Sequence, residues 1–235
     1  MTSLVSRTVR RADLTAEERQ EMHGVFREYY EGATMELFDR DLENKDWVIL
    51  LLDNESHGVQ GFSTLAFYTT SFEGAPCSVV YSGDTIIRST HWGSPELPRA
   101  WVRTVLEKSA EMPQPLYWLL ISSGYKTYRF LSLFYKDFFP RHDTPTPPAM
   151  RDLIHFLANE RFGSAYDRVT GIVHLGDGAT PLKSGVAEVS KERMQDSHIA
   201  FFVQQNPGHG RGDELVCLAR VHPDNFTAAG RRMTR

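Results

Sequence analysis

The chain contains few cysteines, with only Cys77 and Cys217 among 235 residues. Two cysteines so far apart fit neither a disulfide framework nor the short spacings of metal-binding and redox motifs. We therefore expect two reduced thiols. No histidine lies at a metal-ligand spacing from another histidine or from a cysteine, and the sequence predicts no metal site.

Long apolar runs are also lacking. The longest, residues 47–52 and 116–121, are far too short to span a bilayer. The basic residues near the start, Arg7, Arg10 and Arg11, are not followed by an apolar segment, so we expect no signal peptide and a cytoplasmic protein. A net charge of -4 provides no excess of positive charge, and we expect neither nucleic acid nor a membrane as partner.

Local patterns predict strand, helix, helix, three strands, helix, strand and helix in the first 140 or so residues. The predicted strands are residues 6–12, 47–52, 59–69, 79–88 and 116–121, and the predicted helices are residues 15–32, 34–42, 95–110 and 125–136. A helical connection makes the strands at 79–88 and 116–121 parallel neighbours, whereas the short connections elsewhere favour antiparallel pairs.

A linker rich in proline and threonine, residues 141–148, follows these elements. We expect a core of residues 1–143 and a C-terminal α+β extension of residues 144–235 packed on it. The elements predicted in the extension are a helix at 149–161, short strands at 171–175 and 186–189, and a hairpin of 199–204 with 214–221 around the glycine-rich loop 206–213. The fold class predicted is mixed α/β (α+β), with a mostly antiparallel central sheet flanked by helices.

The stretch from residue 81 to 105 runs from a strand through a short loop into a helix with a strong start signal. Ser94 is a suitable N-cap, Pro95 suits the first helical position, and Glu96 favours the positive end of the helix dipole. Because the first amides of a helix are unpaired, this start is a candidate anion site.

The element order of residues 6–140 resembles the GNAT fold of acyl-CoA-dependent N-acyltransferases. In that family a loop of pattern Arg/Gln-x-x-Gly-x-Gly/Ala holds the CoA pyrophosphate, and here Arg88 and Gly93 match the pattern while His91 replaces its first glycine. A side chain at that place obstructs close approach of backbone to phosphate. Residues 133–140 resemble the closing motif of the family, with Tyr135 as its tyrosine and Phe138 in place of a glycine.

The resemblance implies a GNAT-like fold and transfer of an acyl group from acetyl-CoA or another acyl-CoA to the amine of a small molecule. It assigns Tyr135 to protonation of the departing thiolate. The residues that it assigns to the cofactor are Arg88, Ser89, Thr90, Trp92, Gly93 and Ser94.

Strand alternation places Asp84 on one face with Val80, Ile86 and Arg88. Two interpretations stay open, a structural network or pair between Asp84 and Arg88, and a role for Asp84 as general base for an amine. His91 is a second candidate base, since the helix start favours its neutral form.

A further set of residues is predicted to bind the substrate. The end of the first helix borders the acceptor pocket in the resembling family, and residues 122–129 follow the carboxyl end of a parallel strand, where α/β sheets bind ligands. The set is Tyr29, Tyr30, Glu31, Ser82, Ser122, Ser123, Tyr125, Lys126 and Arg129. Lys126 and Arg129 either bind a phosphate, sulfate or carboxylate or form a solvated helix face.

Two other functions stay open. One is a CoA-independent tailoring enzyme on the same fold, in which an amine attacks within one molecule and expels a sulfate or phosphate. The other is a non-catalytic binding protein, since fold does not determine function. The sequence also leaves open a homodimer or a hetero-oligomer.

Overall fold

The computed structural model describes residues 3–176, 180–186 and 188–234. Its strands are β1 (Leu4–Arg10), β2 (Trp47–Asp53), β3 (Val59–Phe72), β4 (Ala75–Ile87), β5 (Leu116–Ser122), β6 (Phe138–Phe139), β7 (Tyr166–Asp167), β8 (Ile172–Val173) and β9 (Glu214–Arg220). Its helices are α1 (Ala16–Tyr29), α2 (Met35–Leu42), α3 (Glu96–Lys108), α4 (Tyr125–Phe134), α5 (Pro148–Phe162), α6 (Ser197–Gln205) and α7 (Ala228–Met233). The predicted order through α4 is confirmed.

Within the described residues the strands form a single sheet in the order β1-β2-β3-β4-β5-β9-β8-β7, with β6 paired to β9. Of the strand pairs in the described part of the chain, β4 with β5 is the single parallel one, from Ser78 opposite Leu116 to Ser82 opposite Leu120. The helix α3 connects these two strands, as a parallel connection requires. The predicted fold class, a mostly antiparallel mixed sheet with helices, is confirmed.

Helices cover both faces of the sheet. The helices α3, α4 and α6 pack on one face, where the rings of Trp101 and Trp118 lie 4.4 Å apart. The helices α1 and α2 pack on the opposite face over β2 and β3, and α5 packs on that face over β5 and β9. Because β9 pairs with β5 in the middle of the sheet, the extension shares the sheet of the core.

The predicted strand at 199–204 is wrong, because this segment belongs to the helix α6. The Asp196 side chain accepts hydrogen bonds from the backbone N–H groups of His198 and Ile199, which starts the helix. Ile199 and Phe202, three residues apart, are both fully buried. A short apolar run has no periodicity that separates strand from helix, so the cap and the packing decide. The predicted strand at 214–221 exists, but it pairs with β5.

Smaller differences occur at three other segments. The described residues of the predicted strand 186–189 lie outside strands, and residue 187 lies outside the described part of the chain. The predicted strand at 171–175 shortens to β8. The helix α3 begins one residue later than predicted, with Ser94 Oγ accepting from the Glu96 N–H at 3.3 Å.

A β-bulge interrupts the pairing of β3 and β4, where Gly83 and Asp84 both lie opposite Thr64. The extra residue reverses the alternation, so that Val80 packs with α3 and α4 whereas Ile86 packs with α1 and α2. The predicted common face of Val80 and Ile86 is therefore wrong, because simple alternation holds only in a strand without a bulge.

Gly61 in β3 makes a close approach to β4 that offers a test of this packing. A Cβ at Gly61 would lie 2.6 Å from the Ile86 carbonyl oxygen, a backbone atom that cannot rotate away. We expect Gly61→Ala to lower the free energy of unfolding by about 1–3 kcal/mol. Gly24→Ala is the matched control, because nothing lies within 4 Å of a Cβ there, and it should stabilise α1 by about 0.5–1 kcal/mol. Urea unfolding measures both, and an unchanged midpoint for Gly61→Ala would contradict the packing.

Two features are absent from the part of the chain that the structure describes. None of its helices has the length and apolar character needed to cross a membrane. None of its clusters of histidine, cysteine, aspartate and glutamate is arranged to hold a metal ion. Cys77 and Cys217 are buried and unpaired.

Candidate active site

The parallel strands β4 and β5 separate at their carboxyl ends. Their pairing stops at Ser82 and Leu120, although β4 continues to Ile87 and β5 to Ser122. The bulge of β4 begins directly after Ser82, and bulges bend the strand that carries them. A gap therefore opens between the two strands.

A cavity of about 920 Å³ occupies this gap and extends outward between α1, α3 and α4. The predicted site residues that line it are Tyr29, Tyr30, Asp84, Trp92, Gly93, Ser94, Ser122, Ser123, Tyr125, Lys126 and Arg129. The predicted residues outside its lining are Glu31, Ser82, Arg88, Ser89, Thr90, His91 and Tyr135. The structure thus brings together the strand, the loop and the start of α4.

Asp84 in β4 and Glu214 at the start of β9 contribute two carboxyls to the cavity wall. Burial, with a smaller contribution from the charge of Asp41, raises the pKa of Asp84 to about 7. Burial, followed by the charges of Asp84 and Asp41, raises the pKa of Glu214 to about 8. Because the two carboxyls interact, the pair near pH 7 holds a proton that ordinary carboxyls would release.

Lys45 is a buried cation beside this pair. Its ammonium donates to the Asp41 carboxylate at 2.6 Å and to the Asp41 carbonyl oxygen at 3.1 Å. It also lies 5.4 Å from the centroid of the Tyr81 ring. The positive charge of Lys45 lowers the pKa of both Asp84 and Glu214, and so opposes the effect of burial.

Gly83 leaves the space that the end of the Lys45 side chain occupies. A Cβ at Gly83 would lie 2.7 Å from Thr64 Oγ1 and closer still to Lys45. Asp41, Lys45 and Glu214 are not among the residues predicted from the sequence. The available signal was a glycine inside a predicted strand, which indicates that another group approaches closely.

Basic side chains also line the cavity. Lys126 and Arg129 of α4 and Arg193 of the extension form its basic part, and Arg40 of α2 lies next to Asp41 in the chain. The Lys126 ammonium lies 3.3 Å from the ring centroid of Trp92. The Trp92 indole N–H donates to the Ile87 carbonyl oxygen at 2.9 Å, which orients the ring. Arg193 was not predicted from the sequence. The cavity therefore has an acidic part and a basic part.

Arg88 is engaged outside the cavity. Its guanidinium donates to the Glu28 carboxylate through Nε at 2.9 Å and Nη2 at 2.8 Å, and to the Val59 carbonyl oxygen at 3.0 Å. The interpretation of a pair between Asp84 and Arg88 is therefore wrong. Arg88 pairs with Glu28, Asp84 interacts with the charges of Asp41 and Lys45, and residues four apart in a strand are separated by about 13 Å.

Three further predicted residues lie away from the cavity. The Ser82 hydroxyl accepts a hydrogen bond from the Trp118 indole N–H at 2.7 Å. The Tyr135 ring packs against Trp118 and Phe226, and its buried hydroxyl has no hydrogen-bond partner among the described residues. Burial raises the pKa of Tyr135. His91 lies half-buried in the turn before α3. In this arrangement neither Tyr135 nor His91 reaches a molecule in the cavity.

The loop that the resemblance assigns to the CoA pyrophosphate uses its own amides. The N–H groups of His91, Trp92 and Ser94 donate to carbonyl oxygens within the loop at 2.8, 3.2 and 3.1 Å. The N–H of Ser89 donates to the Tyr29 hydroxyl at 2.6 Å. Amides that are already bonded are not available to phosphate oxygens.

The start of α3 offers few free donors. Pro95 and Pro98 have no N–H group, and the Glu96 N–H donates to Ser94 Oγ at 3.3 Å. The Glu96 carboxylate adds negative charge at the same place. Within the described residues, the loop leaves the pyrophosphate of CoA only the N–H groups of Thr90 and Gly93 as unbonded amides, and acyl-CoA binding stays a prediction.

No protein-family model matches the chain, and no curated protein is significantly similar to it. Solved structures that it resembles include a GNAT-family N-acetyltransferase of Escherichia coli in complex with CoA, at 14% identity over 55% of this chain and 68% of that one, with a TM-score of 0.40. Another is an acetyltransferase of Trypanosoma brucei, at 16% identity over 62% and 98%, with a TM-score of 0.41. A probable N-acyltransferase of Enterococcus faecalis matches at 12% identity over 90% and 64%, with a TM-score of 0.42.

The element order and the single parallel pair among the described strands are those that the GNAT resemblance implies. The fold is GNAT-like. The partial likenesses to solved structures leave the ligand and the reaction open, so the function has to be argued from the cavity.

Proposed function

We propose that the chain is an enzyme that acts on the amino group of a small molecule in the cavity, with Asp84 and Glu214 as proton acceptor. The observation that carries this proposal is the carboxyl pair itself, which lines the cavity at the strand gap and has raised pKa values. Titratable groups perturbed in this way concentrate at functional sites.

An alkylammonium must lose a proton before its nitrogen can attack an electrophile. A carboxyl pair that carries one negative charge attracts the ammonium and is positioned to accept that proton. An acceptor with a pKa of about 7 or 8 takes a proton at neutral pH more readily than an ordinary carboxylate does. The proton then resides on the pair, while the neutral amine forms the new bond.

Two electrophiles are candidates. The GNAT-like fold suggests an acyl group, and N-acyl transfer from acyl-CoA is the first candidate reaction. The second is attack by the amine on a carbon of the same molecule, where the C–N bond forms as the bond to a sulfate or phosphate breaks. The bonded amides of Ser89, His91, Trp92 and Ser94 favour the second candidate, because they leave few free donors for the pyrophosphate of CoA.

Mass spectrometry can separate these reactions. The protein is incubated with a small-molecule extract, with and without acetyl-CoA, beside the variants Asp84→Asn and Glu214→Gln. A product heavier by one acyl group that forms only with acetyl-CoA supports the first reaction. A product formed without CoA by loss of sulfate or phosphate supports the second. We expect about 10²-fold slower conversion in either variant, the usual loss for a general base.

Unchanged conversion in both variants would show that the carboxyl pair is not the base. A ligand retained by the wild-type protein without conversion would instead support a binding protein. Calorimetry with CoA and acetyl-CoA provides an independent measurement, for which we expect no binding at submillimolar concentration. Tight binding of either compound would favour acyl transfer over the reaction without CoA.

A further inference from the structure

The basic part of the cavity has more positive charge than the neighbouring carboxylates neutralise. Arg129 pairs with Asp196 at 3.2 Å, and the other carboxylate oxygen of Asp196 caps α6. Among the residues that the structure describes, no carboxylate forms an ion pair with Lys126 or Arg193. Of these three cationic side chains, Arg129 alone is paired with a carboxylate within the described part of the chain.

The individual side chains show the effect of this imbalance. Burial, with a further contribution from the positive charge of Arg193, lowers the pKa of Lys126. The Nε atom of Arg129 is buried, and no acceptor for it lies among the residues that the structure describes. A buried donor such as Arg129 Nε is costly without an acceptor, and the like charges of the exposed Lys126 and Arg193 repel each other unless an anion joins them. The partner missing from this arrangement is an anion.

We propose that Lys126, Arg129 and Arg193 form a subsite that binds an anionic group of the substrate, such as a carboxylate, a sulfate or a phosphate. This inference rests on the proposed function, because the carboxyl pair would hold the amine of the same molecule. The substrate class that fits both parts of the cavity is an amine that carries an anionic group. Arginine side chains suit such a group, since the guanidinium donates in a planar fork to two oxygen atoms.

The two parts of the cavity would also orient this substrate. An anionic group is repelled by the pair Asp84 and Glu214 and attracted by the basic side chains, while the opposite holds for an ammonium. One orientation is then favoured, with the amino group at the strand gap. The C-terminal extension contributes to both ends, through Glu214 to the acidic part and through Arg193 to the basic part.

A segment of the extension, residues 180–186, also lines the cavity, through Thr180, Leu182 and Val186. Leu182 forms a backbone bridge with Tyr30 at the end of α1, and its side chain lies against Gly124 at the start of α4. The Lys183 ammonium donates to the Arg27 carbonyl oxygen at 2.6 Å, which ties the segment to α1.

The test uses free anions on the full-length protein. Binding of sodium sulfate, sodium phosphate and sodium acetate is measured by calorimetry and by thermal unfolding, against sodium chloride at the same ionic strength. We expect at least one of the three to bind saturably to the wild-type protein. In Lys126→Gln and in Arg193→Gln the affinity should fall about tenfold, as expected for loss of one hydrogen bond between charged groups. Lys126→Arg keeps the charge and should keep most of the affinity.

Arg168→Gln is the matched control, because Arg168 is exposed and lies outside the cavity lining. It should bind the anion as the wild type does. The proposal is overturned if none of the anions binds saturably, or if the double variant of Lys126 and Arg193 binds as tightly as the control. Asp84→Asn separates the two proposals, because it should retain anion binding even though it loses amine chemistry. Circular dichroism confirms that each variant is folded.

Discussion

Replacing Asp84 and Glu214 together by asparagine and glutamine is expected to make the protein more stable above neutral pH. Both carboxyls line a cavity at a strand gap and are ionised there only at a cost. An amide of nearly the same shape carries no charge at any pH, so the double variant avoids that cost. Residues placed for chemistry rather than for stability are expected to behave in this way.

The sign follows from the two pKa values. In the folded protein the pKa of Asp84 is about 7 against an ordinary value of 3.8, and that of Glu214 is about 8 against 4.5. At a pH between the ordinary and the raised pKa of each group, the folded state holds a proton that the unfolded chain releases. The free energy of unfolding of the wild type therefore falls as the pH rises from about 4 to about 8.

A rise of one in a pKa corresponds to about 1.4 kcal/mol, so the two raised pKa values lower the free energy of unfolding by several kcal/mol over this range. In a chain of this length such a loss lowers the melting temperature by roughly 10 °C or more. The double variant should have a flatter profile and exceed the wild type at pH 8. Asp152→Asn, which changes an exposed carboxylate on α5, serves as control. A wild-type stability that is level or rises from pH 5 to 8 would contradict this assignment.

Lys45→Met and Asp41→Asn are expected to shift the pKa values of Asp84 and Glu214 in opposite directions. Lys45 lowers the pKa of Asp84 and of Glu214, whereas Asp41 raises both. Removing the cation should therefore raise the two pKa values, and removing the carboxylate should lower them. Each unit of upward shift leaves about tenfold less ionised pair at a pH below the pKa, with a matching loss of activity.

The titration can be followed without knowledge of the substrate, by NMR of side-chain carboxyl carbons across pH 4 to 10. Gly83→Ala tests the effect of Lys45 in a second way, because the added Cβ would displace the end of the Lys45 side chain. Gly83→Ala should raise the pKa values of Asp84 and Glu214, as Lys45→Met does. Shifts of the same sign in Lys45→Met and Asp41→Asn would refute the electrostatic account of the site.

Much of the fold could be predicted because the relevant signals are local. The capping box of Thr15 and Glu18 forms as expected, with both hydrogen bonds present. The helical connection between β4 and β5 made their parallel pairing predictable. The prediction of a strand at 199–204 was wrong because five consecutive apolar residues have no periodicity that distinguishes strand from helix. The N-cap at Asp196 then favours the helix over the strand propensity of these residues.

The candidate site was predictable only in part. Asp84 and Lys126 were singled out because a charged residue in a strand and a basic residue after a parallel strand are both unusual. Nothing local connects Asp84 with Glu214, which is 130 positions later in the numbering. The bulge at Gly83 could not be predicted either, because the sequence on both sides of it can be interpreted as one continuous strand with alternating faces.

The sequence by itself determined the helices, the strands and most of their order, since hydrophobic period and capping act over a few residues. Only the tertiary structure decided which charges meet. The separation of β4 from β5 opens the cavity. The pairing of β9 with β5 places Glu214 near Asp84. Hydrogen bonds within the loop before α3 occupy the N–H groups of His91, Trp92 and Ser94. Such contacts depend on strand register and on chain segments far apart in sequence, and no local pattern encodes them.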